Sequence, residues 1–123
     1  MALQISTRES GDITILNLRG KATISDGESE FLRIKLEELI ANGVRKFLLN
    51  LAELSHVDSS GFSVMAKICV SLRDKGGDLK LVRPSGRALV AFKVIRLLDV
   101  IPTFDDESEA LASFRAKSFF AQP

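Results

Sequence analysis

Asn50-Leu51-Ala52-Glu53-Leu54-Ser55-His56-Val57-Asp58-Ser59-Ser60-Gly61-Phe62 is the stretch on which the reading of this chain turns. Just before and into it, Lys46 to Leu51 carries Phe47-Leu48-Leu49, an apolar run too brief for a helix, which predicts a buried strand. A loop is expected from there to Val57. From Ser59 or Ser60 to Lys75 the apolar residues recur at helical spacing, and Gly76-Gly77 closes that helix. A strand, a loop and a helix start in this order form the place where open α/β sheets carry functional groups. The first turn of a helix has free backbone N–H groups and a partial positive charge, and an anion is stabilised there. Two hydroxyls and one acid stand at this helix start. From the local sequence, Asp58 or Ser59 can be a plain N-cap that contributes ~1 kcal/mol. The same residues can also present a functional hydroxyl, although capping serines are common.

Working outward, Leu3, Ile5 and Thr7 alternate with Gln4, Ser6 and Arg8 as in a half-buried strand. Ser10-Gly11-Asp12 reads as a turn, and Ile13, Ile15, Leu16 and Leu18 form a second strand ending at Gly20. Ser25 or Asp26 can cap a helix favoured by Glu28 and Glu30, with Phe31, Leu32, Leu36, Leu39 and Ile40 at helical spacing and Asn42-Gly43 at its end. Beyond the central stretch, Leu79, Leu81 and Val82 form a strand. Pro84-Ser85 opens a helix through Leu89, Phe92, Val94 and Leu97. Val100, Ile101 and Phe104 form a short edge strand, and Asp105 to Phe114 form a last helix. The order is ββαβαβαβα, which predicts one α/β domain with a mixed sheet. The domain is expected over residues 1–115, with residues 116–123 as a loose tail in which Phe119 and Phe120 can dock.

The chain has 123 residues, 46% of them apolar and 27% charged, with a formal net charge of +1. These are ordinary values for a globular domain with a core of its own. The near-neutral balance gives no basic footprint for duplex DNA. Cys69 is the only cysteine, so no internal disulfide can form, and it sits on the apolar arc of its helix as a buried filler. One His and one Cys cannot supply a usual zinc set, so no metal is expected. No phosphate-loop or dinucleotide fingerprint is present, so no cofactor is expected. Arg83, Arg87, Lys93 and Arg96 read as the solvated face of a helix. The N-terminus does not read as a signal peptide, and no apolar run approaches the ~20 residues of a spanning helix. The expectation is a cytoplasmic protein with no direct contact to nucleic acid or membrane.

The central stretch resembles the signature of STAS domains, and specifically of bacterial anti-sigma factor antagonists. Their pattern is an Asn-Leu strand end followed by Asp-Ser-(Ser or Thr)-Gly-Leu-Gly at a helix start. Here it is Asn50-Leu51 and Asp58-Ser59-Ser60-Gly61-Phe62-Ser63. Gly76-Gly77 before Leu79-Lys80-Leu81, the passage Ile95 to Phe104 and the closing helix Glu107 to Phe114 extend the likeness over nearly the whole chain. The resemblance implies a STAS-like fold and a phosphorylation switch. In the family the serine directly after the aspartate is phosphorylated by an anti-sigma factor that is itself a serine kinase. Carried over, that serine is Ser59, with Asp58 beside it, Ser60 at the Ser/Thr position and Gly61 allowing close approach of a partner backbone. The unphosphorylated form would bind the anti-sigma factor and release a sigma factor, and a phosphatase would reset it. Where the family often has Leu then Gly, this chain has Phe62 and Ser63. Where the family's first loop often reads Gly-Glu-Leu-Asp, this chain has Gly20-Lys21-Ala22-Thr23. Lys21 reverses a charge near Thr23 at the expected interface, which implies a different partner from those of the best-known relatives.

On the helix after the motif, Ser63, Lys67, Ser71 and Asp74 share one polar stripe, and apolar residues cover most of the remainder. The arc is wider than the ~100° a surface helix needs. Either neighbouring elements cover the surplus, or Val64 and Ile68 on its margin are exposed to a partner. His56, Asp58 and Ser59 are too close in sequence for a conventional triad, and no Gly-x-Ser-x-Gly elbow exists. The expectation is a non-enzymatic binding module, monomeric or a weak homodimer, with His56 as a loop or interface residue. Competing readings are a STAS scaffold subunit of a larger signalling complex and a small serine hydrolase using Ser59.

Overall fold

The alternation at the start of the chain becomes β1 (Leu3–Ser10), which turns at Gly11-Asp12 and pairs antiparallel with β2 (Ile13–Ala22). Helix α1 (Glu28–Ala41) leads to β3 (Lys46–Val57), and α2 (Ser59–Asp74) leads to β4 (Asp78–Val82). The two-residue β5 (Thr103–Phe104) and α3 (Glu107–Phe120) follow. The strands lie in chain order, β1-β2-β3-β4-β5, with every pair after the first parallel. The computed structural model describes residues 3–24, 27–84, 89–90 and 101–120. Within them the domain is the expected mixed α/β fold. The cap expected at Ser25 or Asp26, the residues Phe92, Val94 and Leu97, and the basic residues Arg87, Lys93 and Arg96 lie outside the described residues. Among those described, no helix is long and apolar enough to cross a membrane.

Neighbouring strand residues point to opposite faces, and this divides the core. Leu16, Leu18, Phe47, Leu49, Leu79 and Leu81 pack against Leu32 and Leu36 of α1 and Met65, Cys69 and Leu72 of α2. Ile13, Ile15, Leu48 and Val82 pack on the other face against Ala110 and Phe114 of α3. All five residues of β4 are buried, as a central parallel strand covered on both sides requires. That burial includes Lys80, whose Nζ donates to Ser113 Oγ at 2.7 Å and lies 4.5 Å from the Phe114 ring centroid.

Several boundaries differ from expectation: β2 runs past Gly20 to Ala22, and the short edge strand is Thr103–Phe104, leaving Ile101 outside it. The strand expected to end at Leu51 runs on to Val57, so His56 is a strand residue. Its pairing with β2 slips between Asn17 and Arg19 and again between Gly20 and Lys21. Each slip inserts one extra residue in β3, and the two bulges hide the period-2 pattern. The last helix continues to Phe120, past the Phe114 end expected.

Candidate functional site

Extension of β3 carries the chain directly to α2, and Asp58 is the joint. Its backbone is extended (φ −111°, ψ −176°), and its side chain caps the helix. Oδ1 accepts from Ser60 N at 3.0 Å and Gly61 N at 3.2 Å. Oδ2 accepts from Ile24 N at 2.9 Å, in the segment that follows β2. A single carboxylate thus closes the start of α2 and ties it to the β2–α1 connection. Burial alone would push its pKa up. Hydrogen bonds from Ser60 Oγ and from the N–H groups of Ile24, Gly61 and Ser60 outweigh that and hold it below the ordinary carboxylate range. Asp58 is therefore a fixed negative charge at neutral pH.

The two adjacent serines have opposite environments. Ser60 Oγ donates to Asp58 Oδ1 at 2.5 Å and lies 2.5 Å from Ser29 Oγ on α1. A carboxylate only accepts, so the Ser60 proton goes to Asp58 and the Ser29 hydroxyl donates to Ser60. Ser29 is buried, so this chain of bonds is an internal clasp between α1 and α2. Ser59, the first residue of α2, is exposed, and its hydroxyl makes no hydrogen bond among the described residues.

The residues expected at a partner surface separate into two groups. Asp58, Ser60 and Thr23 come together, and Lys21 stands exposed on β2 in register with His56. Thr23 is engaged, donating from Oγ1 to Glu28 Oε1 at 2.5 Å. Val64 is half-buried. Gly61, Phe62 and Ile68 belong to the interior. Phe62 and Ile68 are 3% and 6% exposed within the core that α1 and the sheet form around α2. They are core residues of this fold, and at these two positions neighbours cover the apolar arc. The apolar side chain that α2 does expose is Val70, at 52%. Gly61 was expected to let a partner's backbone approach closely; in the structure the close backbone is the chain's own. A Cβ there would sit 2.5 Å from Ala22 O and 2.8 Å from Val57 Cγ2.

Ile24 was missed by sequence reasoning. Its N–H is held by Asp58 while its side chain is 72% exposed, which leaves an apolar group beside the helix start. A lone isoleucine in a polar connection was the available signal. Glu28, expected to complement the positive end of α1, is instead buried, and among the described residues its Oε2 has no hydrogen-bond partner. Cys69 is fully buried, as expected, and burial pushes its thiol pKa up.

This arrangement can be placed among known proteins. BtrV of Bordetella bronchiseptica, a candidate anti-sigma factor antagonist, is 23% identical over 95 residues, covering 77% of this chain and 82% of its own. The crystal structure of a candidate anti-sigma factor antagonist of Thermotoga maritima, TM1081, superposes with a TM-score of 0.79 at 22% identity, covering 90% of this chain and 94% of that one. The anti-sigma factor antagonist SpoIIAA of Bacillus has been solved in both of its forms. The unphosphorylated form gives a TM-score of 0.74 at 23% identity over 94% of this chain and 97% of that one. The phosphorylated form gives 0.66 at the same identity, over 91% and 98%. The sequence model of the STAS domain matches residues 4–110. The chain belongs to the STAS domain family.

Proposed function

We propose that this protein is an anti-sigma factor antagonist that works as a phosphorylation-controlled binding switch, with Ser59 as the phosphoacceptor. In this reading the unphosphorylated form binds an anti-sigma factor with serine-kinase activity, a sigma factor is released, and a phosphatase reverses the modification. The protein performs no turnover of its own. The names of its relatives and the two forms of SpoIIAA support the class of function. One observation carries the choice of residue: of two adjacent hydroxyls, that of Ser59 is exposed and unengaged among the described residues, and that of Ser60 is held between Asp58 and Ser29.

The direction of the switch follows from charge. A phosphate adds roughly −1.5 to −2 charges at pH 7. The N–H groups of Ser60 and Gly61, which an anion at this helix start would seek, are already bonded to Asp58. A phosphate on Ser59 therefore stays at the surface, next to a carboxylate that is already ionised. A partner surface shaped for a neutral hydroxyl would then meet concentrated negative charge, and desolvation and repulsion both oppose binding. The core packing of α2 is untouched, so the fold persists through the change.

The test is capture from a lysate of the source organism with wild-type, Ser59→Ala and Ser59→Glu proteins as bait, followed by addition of ATP and Mg²⁺. The expected result is one kinase-fold protein retained by the first two baits and lost by the third, with phosphate appearing on Ser59 of the wild type. Retention by all three baits alike, or phosphate confined to Ser60, would overturn the proposal.

A further inference from the structure

The sheet has a step at its carboxyl-terminal end. β4 stops at Val82, opposite Asn50, while β3 continues to Val57. The step leaves a cleft of about 210 Å³ lined by Asn17, Leu18, Asn50, Ala52, Glu53 and Arg83. It shares no residue with the Asp58–Ser60 site and is independent of the function proposed above.

Three separate irregularities of the backbone and side chains converge on it. The first is the bulge between Asn17 and Arg19, opposite Asn50 to Glu53. Bulges cluster where a sheet re-aims side chains towards a site. The second is Arg83, the one non-glycine residue with positive φ among those described, at +57°. A long side chain is rarely found there, and such strain persists only where the surroundings enforce it. The third is unused hydrogen-bonding capacity. The Asn17 amide makes no side-chain hydrogen bond among the described residues, and Asn50 uses only Oδ1, accepting from Ala52 N at 3.0 Å. Among the described residues the Arg83 guanidinium makes one long bond, from Nε to Asp105 O at 3.4 Å, and its terminal nitrogens make none. Glu53, part of the lining, pairs with Arg19 at 3.6 Å, and Asp106, bonded to Ser108, and Glu107, paired with Arg8, still feel the Arg83 charge, which helps to lower both of their pKa values.

We propose that this cleft binds a small anionic metabolite, with Arg83 taking its carboxylate or phosphoryl group and the amides of Asn17 and Asn50 fixing its orientation. An arginine fork suits either anion. The cleft lies past the carboxyl end of β4, beside residues in the middle of β2 and β3, and space beyond the end of a parallel strand is where open α/β sheets take ligands. The volume is below the ~300–1,000 Å³ of pockets for drug-sized ligands, so the occupant is a compact molecule.

Side-chain NH₂ signals of Asn17 and Asn50 report on the cleft directly. The ¹⁵N-labelled full chain would be titrated with inorganic phosphate and, separately, with L-malate, up to about 10 mM, enough to detect millimolar affinity. The expected result is a saturable shift of both amide signals with at least one probe, the stronger probe assigning the anion class. The shift should vanish in Arg83→Gln, which keeps a side chain of similar length, and persist in Arg33→Gln on the distant α1 surface. No saturable shift with either probe, or a shift that survives Arg83→Gln, would overturn the proposal.

Discussion

Gly61→Ala offers a quantitative check on how α2 is seated. The added Cβ would lie 2.5 Å from Ala22 O, 2.8 Å from Val57 Cγ2 and 3.3 Å from Ala22 Cβ. Carbon–oxygen contacts are ordinarily no closer than about 3.3 Å. The helix start or the end of β2 must therefore move by roughly 0.8 Å at that contact. Neither can move freely. Ala22 O accepts from Asp58 N at 3.3 Å, and Ala22 is the last residue paired with β3, opposite Val57. Overpacking of this kind costs about 1–3 kcal/mol, and the better helix propensity of Ala returns up to about 1 kcal/mol. The net loss should be about 1–2 kcal/mol, or a fall in Tm of roughly 4–8 °C for a domain of this size. Gly61→Val should lose more, because its branched side chain meets the same wall. Thermal unfolding followed by circular dichroism measures both. A Gly61→Ala protein as stable as the wild type would refute the packing argument. It would return Gly61 to the role of a glycine kept clear for a partner.

Ser60→Ala should cost about 1–3 kcal/mol, because it strands the buried Ser29 hydroxyl and removes a bond to Asp58. Ser59→Ala should stay within about 0.5 kcal/mol of the wild type, and equal losses in urea titrations would contradict the division between clasp and switch. Asp58 predicts a pH dependence. Its folded pKa is lowered, so its contribution is fully present above about pH 5 and is lost as pH falls through the lowered value. Asp58→Asn should be less stable at neutral pH and show a shallower acid limb. Parallel stability curves between pH 2 and 6, roughly the span over which carboxylates titrate, would refute the assignment.

How much was legible in the sequence depended on whether a residue's partner was near it in the chain. The Asp58-Ser59-Ser60-Gly61 start of α2 was readable, because an acid and two hydroxyls before an apolar helical run have few local uses. The N-cap was narrowed to Asp58 or Ser59, and only the hydrogen bonds to Ser60 and Gly61 decide for Asp58. The role of Ser60 was not readable, because Ser29 is 31 positions away. Gly61 was recognised as a close-approach position, but the wall it meets is Ala22, at the end of another strand. Ile68 was offered as exposed, against the alternative that neighbours cover it, because an over-wide apolar arc does not say which part is covered; Phe62 was placed at the interface by its position in the motif. The end of β3 was hidden by two bulges that broke its alternation. The burial of Lys80 was not readable, because only the packing of α3 on that face covers it. Lys80 and Glu28 are both buried, against the usual exposure of charged residues, and the local sequence carries no sign of it.

The most direct measurement of the central claim is the affinity of the purified partner for this protein with and without phosphate on Ser59. Calorimetry at physiological salt would compare the unmodified chain with the chain carrying phosphoserine at position 59 alone. The dianion beside the fixed charge of Asp58 should weaken binding at least about tenfold, equivalent to about 1.4 kcal/mol. Circular dichroism and Tm should show the domain still folded. Equal affinity of the two forms, or tighter binding of the phosphorylated one, would contradict the account.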